Sequence, residues 1–351
     1  MRLFRFLYLL VAVSMMGAAH ASAAAPPYRV AVLYWSMNIP GQVAMRAGLE
    51  AEAERINRDV RAAGGRGIAL EAQVAGDGAE GVERQIAQMY AAVKSRPDVI
   101  IVQPTDNAAL AEPLRAANRA GIPVVAYDQY ISGGRLAAYV TSDNRQAGYL
   151  GGEYLAALFP GISPLRLVIV EYPLVSSTVE RLNGFLDALR DYKVPYVVLK
   201  TYEAVEPVAG RKAGEAILRD FPERGSVDAV FTVNDGGGLA VVEVLARAGR
   251  DEIAVATIDG DPASVDNIRR QRLTRIDAAQ FCGPLGAEAL KAAYAVARGE
   301  SVPKRLLVPV FPVTAETLAS YPGWLGPIPG AFRKPWRANQ PMWDHRPQTT
   351  R

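Results

Sequence analysis

The chain has 351 residues, with 39 Lys and Arg against 36 Asp and Glu, two His and one Cys. That length exceeds a typical single domain, and half of the residues are apolar, enough to bury a core in each of two lobes. One Cys excludes an intramolecular disulfide and a Cys-rich zinc site, and with His20 in an apolar leader and His345 near the C-terminus, Ser-His-Asp, Cys-His and His-based metal chemistry have no imidazole in the folded body.

Residues Met1 to about Ala25 read as a secretory signal. Arg2 and Arg5 give a basic start, Phe6 to Ala18 an apolar run, and Ala19-His-Ala-Ser-Ala23 several small-x-small cleavage options. The apolar run is short for a membrane span, which needs about 20 residues. Removing the leader takes away two Arg and no acid, leaving 37 basic against 36 acidic residues. A mature charge near neutrality with no long basic stretch gives no reason to expect nucleic-acid binding. The mature chain is expected in the periplasm, as a monomer.

From residue 26 onward short β-rich runs alternate with helical stretches. Strands are predicted at Arg29–Tyr34, Ile68–Val74, Val99–Val102, Val124–Tyr127 and Ala137–Thr141. A second series follows at Arg166–Val170, Tyr196–Lys200, Ala229–Val233, Ala254–Ile258 and Arg275–Ala279. Runs such as Asp98-Val-Ile-Ile-Val and Arg166-Leu-Val-Ile-Val are nearly continuous in apolar residues, as in parallel strands covered by helices on both faces. Helical patterns fill the gaps, among them Val43–Val60, Val82–Lys94, Ala108–Ala120, Gln146–Leu158, Val179–Leu189 and Leu239–Ala248. The fold class is α/β: two doubly wound parallel-sheet lobes, since two sets of five strands suit two lobes better than one open sheet.

In such sheets ligands bind beyond the carboxyl ends of the strands. The first predicted strand is followed by Trp35-Ser-Met-Asn38, the third by Gln103-Pro-Thr-Asp106, the fourth by Asp128-Gln129 and the fifth by Ser142-Asp-Asn144. In the second half the strand ends carry Glu171-Tyr-Pro, Asn234-Asp235, Asp259-Gly-Asp261 and Gln280. Any one of these fits a helix N-cap as well as a ligand contact. Their gathering at so many strand ends describes a polar crevice with no histidine for acid–base work.

These residues resemble the ribose-type periplasmic sugar-binding proteins, the type I solute-binding components of ABC importers. The resemblance runs from about residue 28 to about 315. It is carried by Pro97-Asp-Val-Ile-Ile-Val-Gln-Pro-Thr-Asp106, Gly121-Ile-Pro-Val-Val-Ala-Tyr-Asp128, Val140-Thr-Ser-Asp-Asn144 and Gly148-Tyr-Leu-Gly-Gly152. Glu180-Arg-Leu-Asn-Gly-Phe185, Asp228-Ala-Val-Phe-Thr-Val-Asn-Asp235 and Ile258-Asp-Gly260 continue the series. The resemblance implies lobes joined by a three-segment hinge, crossed near Ser142, Gln280 and Val308–Pro309. It places residues 26–142 with 281–308 in one lobe and 143–280 with 309–324 in the other, leaving 325–351 as a Pro- and Trp-rich tail. It also implies capture of a sugar or similar polyhydroxylated ligand for an ABC permease. The alternative is a sensor that reports occupancy to a membrane histidine kinase or chemoreceptor.

Positions that match the family's ligand contacts are Asp128, Arg181, Asn234, Asp259 and Gln280. Planar amides, carboxylates and Arg forks can each hold two hydroxyls. For Arg181 the competing assignment is a surface ion pair with Glu180 or Asp187. The departures bear on the ligand. The family's paired aromatics after the first strand are replaced by Gly41-Gln42, so Trp35 is the candidate stacking surface, with Asn38 beside it. The family's Arg after the fourth-strand Asp is Gln129, and its third-strand Asn is Gln103. Ribose itself is therefore not expected; a hexose, a polyol, a modified sugar and a small non-sugar polar ligand stay open.

Asn234-Asp-Gly-Gly-Gly238 lacks the Lys-Ser/Thr of a P-loop and reads as a strand-to-helix turn. Asp259 with Asp261, or Asp128 with Asp143, has the composition of a glycosidase pair, but nothing in the sequence raises a pKa at either; no catalytic residue, cofactor or metal is expected. Cys282 is expected to be a buried, inert thiol. The segment from Tyr321 onward holds three of the four Trp among many Pro and Gly. It cannot be regular throughout, and either packs along one lobe or contacts a partner.

Overall fold

A computed structural model describes residues 25–161 and 164–350. All but the last residue of the expected leader lies outside that range. The first lobe opens with β1 (Tyr28–Tyr34), α1 (Pro40–Ala63), β2 (Ile68–Val74), α2 (Gly78–Ser95), β3 (Val99–Val102), α3 (Ala111–Arg119), β4 (Val124–Tyr127) and β5 (Ala138–Ser142). The second holds α4 (Asn144–Leu158), β6 (Leu165–Glu171), α5 (Ser176–Asp191), β7 (Tyr196–Glu203), α6 (Pro207–Asp220), β8 (Ala229–Thr232) and α7 (Asp235–Arg247). It ends with β9 (Ala254–Asp259), α8 (Pro262–Arg269) and β10 (Thr274–Ala279). The chain then returns to the first lobe for α9 (Cys282–Ala297) and β11 (Arg305–Val308), and crosses back for β12 (Phe311–Thr314). The short strands β13 (Phe332–Arg333), β14 (Met342–Trp343) and β15 (Gln348–Thr350) lie in the tail.

The first sheet has the order β15-β11-β5-β4-β3-β1-β2 and the second β12-β10-β9-β8-β6-β7. Every neighbouring pair is parallel except β15 on β11 and β12 on β10. The apolar runs behave as continuous apolar strands should. On β3, Val99 and Ile101 enter the core on one face while Ile100 and Val102 enter the other. On β6, Leu167 and Ile169 face one core and Val168 and Val170 the other. Strand order reverses between β1 and β3 in the first sheet and between β6 and β8 in the second, and a crevice opens at those switch points.

Three helix pairs pack backbone to backbone, α4 on α5, α1 on α9 and α6 on α7. A side chain at Gly148 would overlap the Arg181 carbonyl, and one at Gly184 would overlap that of Arg145. The motif Gly148-Tyr-Leu-Gly-Gly152 thus seats α5, and with it Arg181, directly on α4.

The tail packs along both lobes rather than one. Trp324 Nε1 donates to the Asp259 carbonyl at 2.5 Å, while the Gly283 amide donates to the Trp324 carbonyl at 2.9 Å. Lys334 and Glu153, both buried, pair at 2.7 Å in the second lobe. Trp336 Nε1 and the Tyr192 hydroxyl also donate to Glu153. Trp343 is buried against Phe311 and Phe332 and donates to the Val310 carbonyl between β11 and β12. Finally β15 extends the first sheet at β11.

Truncation of Lys334 leaves Glu153 buried without its counter-ion, a change that typically costs about 3–5 kcal/mol. Lys334→Ala is therefore expected to lower the urea midpoint by an amount equivalent to about 3 kcal/mol. A midpoint equal to that of the wild type would show that the tail is not held on the second lobe.

Candidate functional site

The lobes enclose a narrow, tightly closed cleft of about 30 Å³. Trp35, Asp128 and Gln129 of the first lobe and Arg181, Asn234, Asp259 and Gln280 of the second or its crossing line it together. Across its rim the lobes touch: the Ser177 amide donates to Gln129 Oε1 at 3.2 Å, the Tyr130 amide to Ser176 Oγ at 3.0 Å, and Arg305 pairs with Glu180 at 2.9 Å. The lobes are closed over the cleft.

Each polar group is fixed by the strand end that carries it. Asp128 follows β4 with φ of 63°, and its carbonyl accepts from the Thr141 hydroxyl, which pins the turn. Asp259 ends β9 with φ of 134°. Such backbone is strained for a residue with a Cβ and persists where the surroundings enforce it, commonly at functional sites. Asn234 is the N-cap of α7: Oδ1 accepts from the Gly237 amide and Nδ2 donates to the Val205 carbonyl, so it caps and lines the cleft at once.

Arg181 lies in the second turn of α5, 3% exposed. Nε donates to Asn144 Oδ1 at 2.9 Å, and Nη1 to the Val233 carbonyl at 2.9 Å and to Asp259 Oδ1 at 3.1 Å. Nη2 has no partner among the described residues. The surface ion pair does not form, because Glu180 is held by Arg305 and Asp187 by Arg145 and Arg190. Gln280 Nε2 donates to the same Asp259 oxygen at 2.6 Å, and its Oε1 accepts from the Ser142 hydroxyl at 2.6 Å.

Two of the sequence-derived candidates do not reach the cleft. Asn38 is exposed and donates from Nδ2 to Asp77 Oδ2 at 2.7 Å, because the turn after β1 carries it outward. Gln103 is fully buried behind the wall, where Nε2 donates to Asp128 Oδ2 at 3.0 Å and Oε1 accepts from the Trp35 amide. It positions Asp128 instead of touching a ligand. Conversely, Gln42, Ser177 and Thr178 line the cleft. Ser177 stands four residues before Arg181 and so shares its helix face, a spacing that was legible. Its hydroxyl is buried with no hydrogen-bond partner.

Burial raises the carboxyls of the site. Asp259 is pushed up to about 7, with Arg181 and Gln280 pulling against the shift. Asp128 is raised in the same way, with Arg181 opposing. Behind Asp259, burial also raises Asp235 and Asp277, and Asp277 accepts from the Gly260 amide. Cys282, at the start of α9, is buried, and burial lifts its thiol well above the usual range. No cluster of three metal-ligating side chains occurs among the described residues, and none of their helices is long and apolar enough to cross a membrane.

A family model described as a periplasmic binding protein domain matches residues 30–301. The ribose import binding protein of Bacillus subtilis is 28% identical over 276 residues, which span 78% of this chain and 83% of that one. Its Escherichia coli counterpart is 24% identical, spanning 78% and 86%. A crystal structure of an ABC transporter solute-binding protein from Bacillus halodurans with bound myo-inositol superposes with a TM-score of 0.73 at 23% identity, covering 84% of this chain and 97% of that one.

An aspartate whose pKa is higher folded than unfolded holds its proton more tightly in the native state. Its stabilising contribution is complete below the unfolded value and is lost as pH rises through the folded one. The unfolding free energy of the wild type relative to Asp259→Asn is therefore expected to fall between about pH 4 and about pH 7, by at most about 1.4 kcal/mol per pH unit. Urea titrations across that range give this difference directly; a flat difference would show that Asp259 titrates as an ordinary carboxylate.

Proposed function

The chain belongs to the periplasmic binding protein domain family, and on that premise we propose that it captures a sugar or similar polyhydroxylated ligand in the periplasm for an ABC importer. The observation that carries this reading is the convergence of polar side chains from both lobes on one enclosed cleft. Hydroxyls donate and accept together, and the wall offers both kinds of partner: the free Nη2 of Arg181, the amides of Gln42, Gln129 and Gln280, and the carboxyl groups of Asp128 and Asp259. Trp35 supplies the apolar face against which a ring or carbon chain can lie.

Arg181 is the central donor. Its Nε and Nη1 are committed to the protein, so the guanidinium cannot swing, and Nη2 is presented as a fixed donor without further ordering cost. A ligand that contacts Asp128 and Arg181 together contacts both lobes and favours the closed form over the open one. That closed form is the state a permease would recognise. The roles in the relatives' names favour import over the sensing alternative. Members of this family are binding proteins, and we extend that to this chain: a monomer that holds its ligand unchanged.

Calorimetry against a panel of hexoses, pentoses and cyclic and linear polyols tests this proposal. At least one is expected to bind; no heat from any, with folded protein, would overturn it. Arg181→Lys keeps a cation opposite Asp259 but loses the fixed Nη2 donor, and is expected to weaken binding about tenfold or more. Unchanged affinity would remove Arg181 from the site.

A further inference from the structure

Among the described residues, only three that line the cleft carry formal charge: Asp128, Arg181 and Asp259. They are 4%, 3% and 5% exposed. The one guanidinium is already paired with Asp259 at 3.1 Å, while Asp128 receives only neutral amide donors, from Gln103 and Gln129. Among the described residues no second cation stands on the wall; Gln129, next to Asp128, is neutral. When both carboxyls are ionised, a neutral ligand leaves the closed cleft one negative charge in excess, and a buried charge without a partner is costly. Behind Asp259 the buried Asp277 adds to the negative field and raises Asp259 further.

A second group on the wall is also left unsatisfied. The Ser177 hydroxyl is 1% exposed, lines the cleft and has no partner. A hydroxyl or an amine on the ligand would complete it. Trp35 adds an aromatic surface of the kind that attracts a cation. A bare metal ion does not fit these groups, since the described residues hold no cluster of three metal ligands.

We infer that the ligand is a polyhydroxylated molecule carrying a protonated amine, an amino sugar or amino polyol, with Asp128 as the residue that selects for the charge. This rests on the reading of the cleft as a polyol site and narrows it. The raised pKa values agree with it: burial of Asp128 and Asp259 outweighs the pull of the single guanidinium, and a ligand ammonium would supply the missing charge.

The test is calorimetry with matched sets: glucose, glucosamine and N-acetylglucosamine; the galactose equivalents; and myo-inositol with its amino-deoxy analogue. At least one amine is expected to bind about tenfold or more tighter than its hydroxyl parent, and acetylation, which removes the charge, to abolish the gain. The ratio of amine to parent affinity is expected to collapse in Asp128→Asn and to invert in Gln129→Arg, which supplies a second guanidinium should the first variant not fold. Parents that bind as tightly as their amines, or a ratio unmoved by either folded variant, would overturn the inference and leave the polyol reading standing. Failure of every compound to bind would overturn the polyol reading itself.

Discussion

The contact between Arg181 and Asp259 is the interaction around which the cleft is assembled. Arg181 Nε binds Asn144, whose own amide donates to the Thr141 hydroxyl at 3.0 Å. Asp259 binds Gln280, and Gln280 accepts from Ser142. Thr141 and Ser142 are neighbours on β5, so the hydrogen bonds close into a ring. That ring joins the segment where the chain first leaves the first lobe to the segment where it returns. Asp128 is attached to it as well, because the Thr141 hydroxyl also donates to the Asp128 carbonyl. Ligand-facing groups and hinge segments therefore belong to one buried polar network, in which each member's geometry depends on the others.

The packing around the ring explains why it is rigid. Glycine at 148 lets α4 meet α5 at backbone distance, which sets the height of Arg181 over the second sheet. On the other side Trp324 donates to the carbonyl of Asp259 itself and is bonded to Gly283 of the first lobe. A segment beyond the residues matched by the family model thus touches the backbone of a central cleft residue and both lobes. The tail continues the core through Phe311 and Trp343 to the junction between β11 and β12, where the chain makes its third crossing.

What was legible in the sequence follows from local periodicity. Strands buried on both faces announce themselves as uninterrupted runs, and β1, β3, β4, β6, β8 and β9 lie within two residues of their predicted bounds. The helix α9 is half Ala and Gly, which gives no amphipathic signal, and β11 and β12 lie in a run punctuated by Pro309 and Pro312, which argues against strands. Gln103 and Asn38 show a different limit. Both follow a strand, where the residue type is legible but the side-chain direction is set by the turn beyond it. One points inward to Asp128 and the other outward to Asp77. The tail was unreadable for a third reason: Trp343 and Lys334 are fixed by partners about 30 and 180 residues away, Val310 and Glu153, and no local rule reaches that far.

The closed form carries costs that a ligand is suited to offset. Asp259 holds a backbone angle that disfavours any residue but glycine, Ser177 has a buried hydroxyl with no partner, and two carboxyls share one guanidinium. None of these costs arises from the sheets or helices, whose cores are complete without a ligand. They are confined to the surface that closure removes from water. Opening the cleft would hydrate Ser177, Asp128 and Asp259 and relieve the excess charge; filling it with hydroxyls and a cation would satisfy the same groups without opening. The balance between the two forms is thus set at the cleft wall, and a ligand shifts it by as much as it bonds these groups in one form and not in the other.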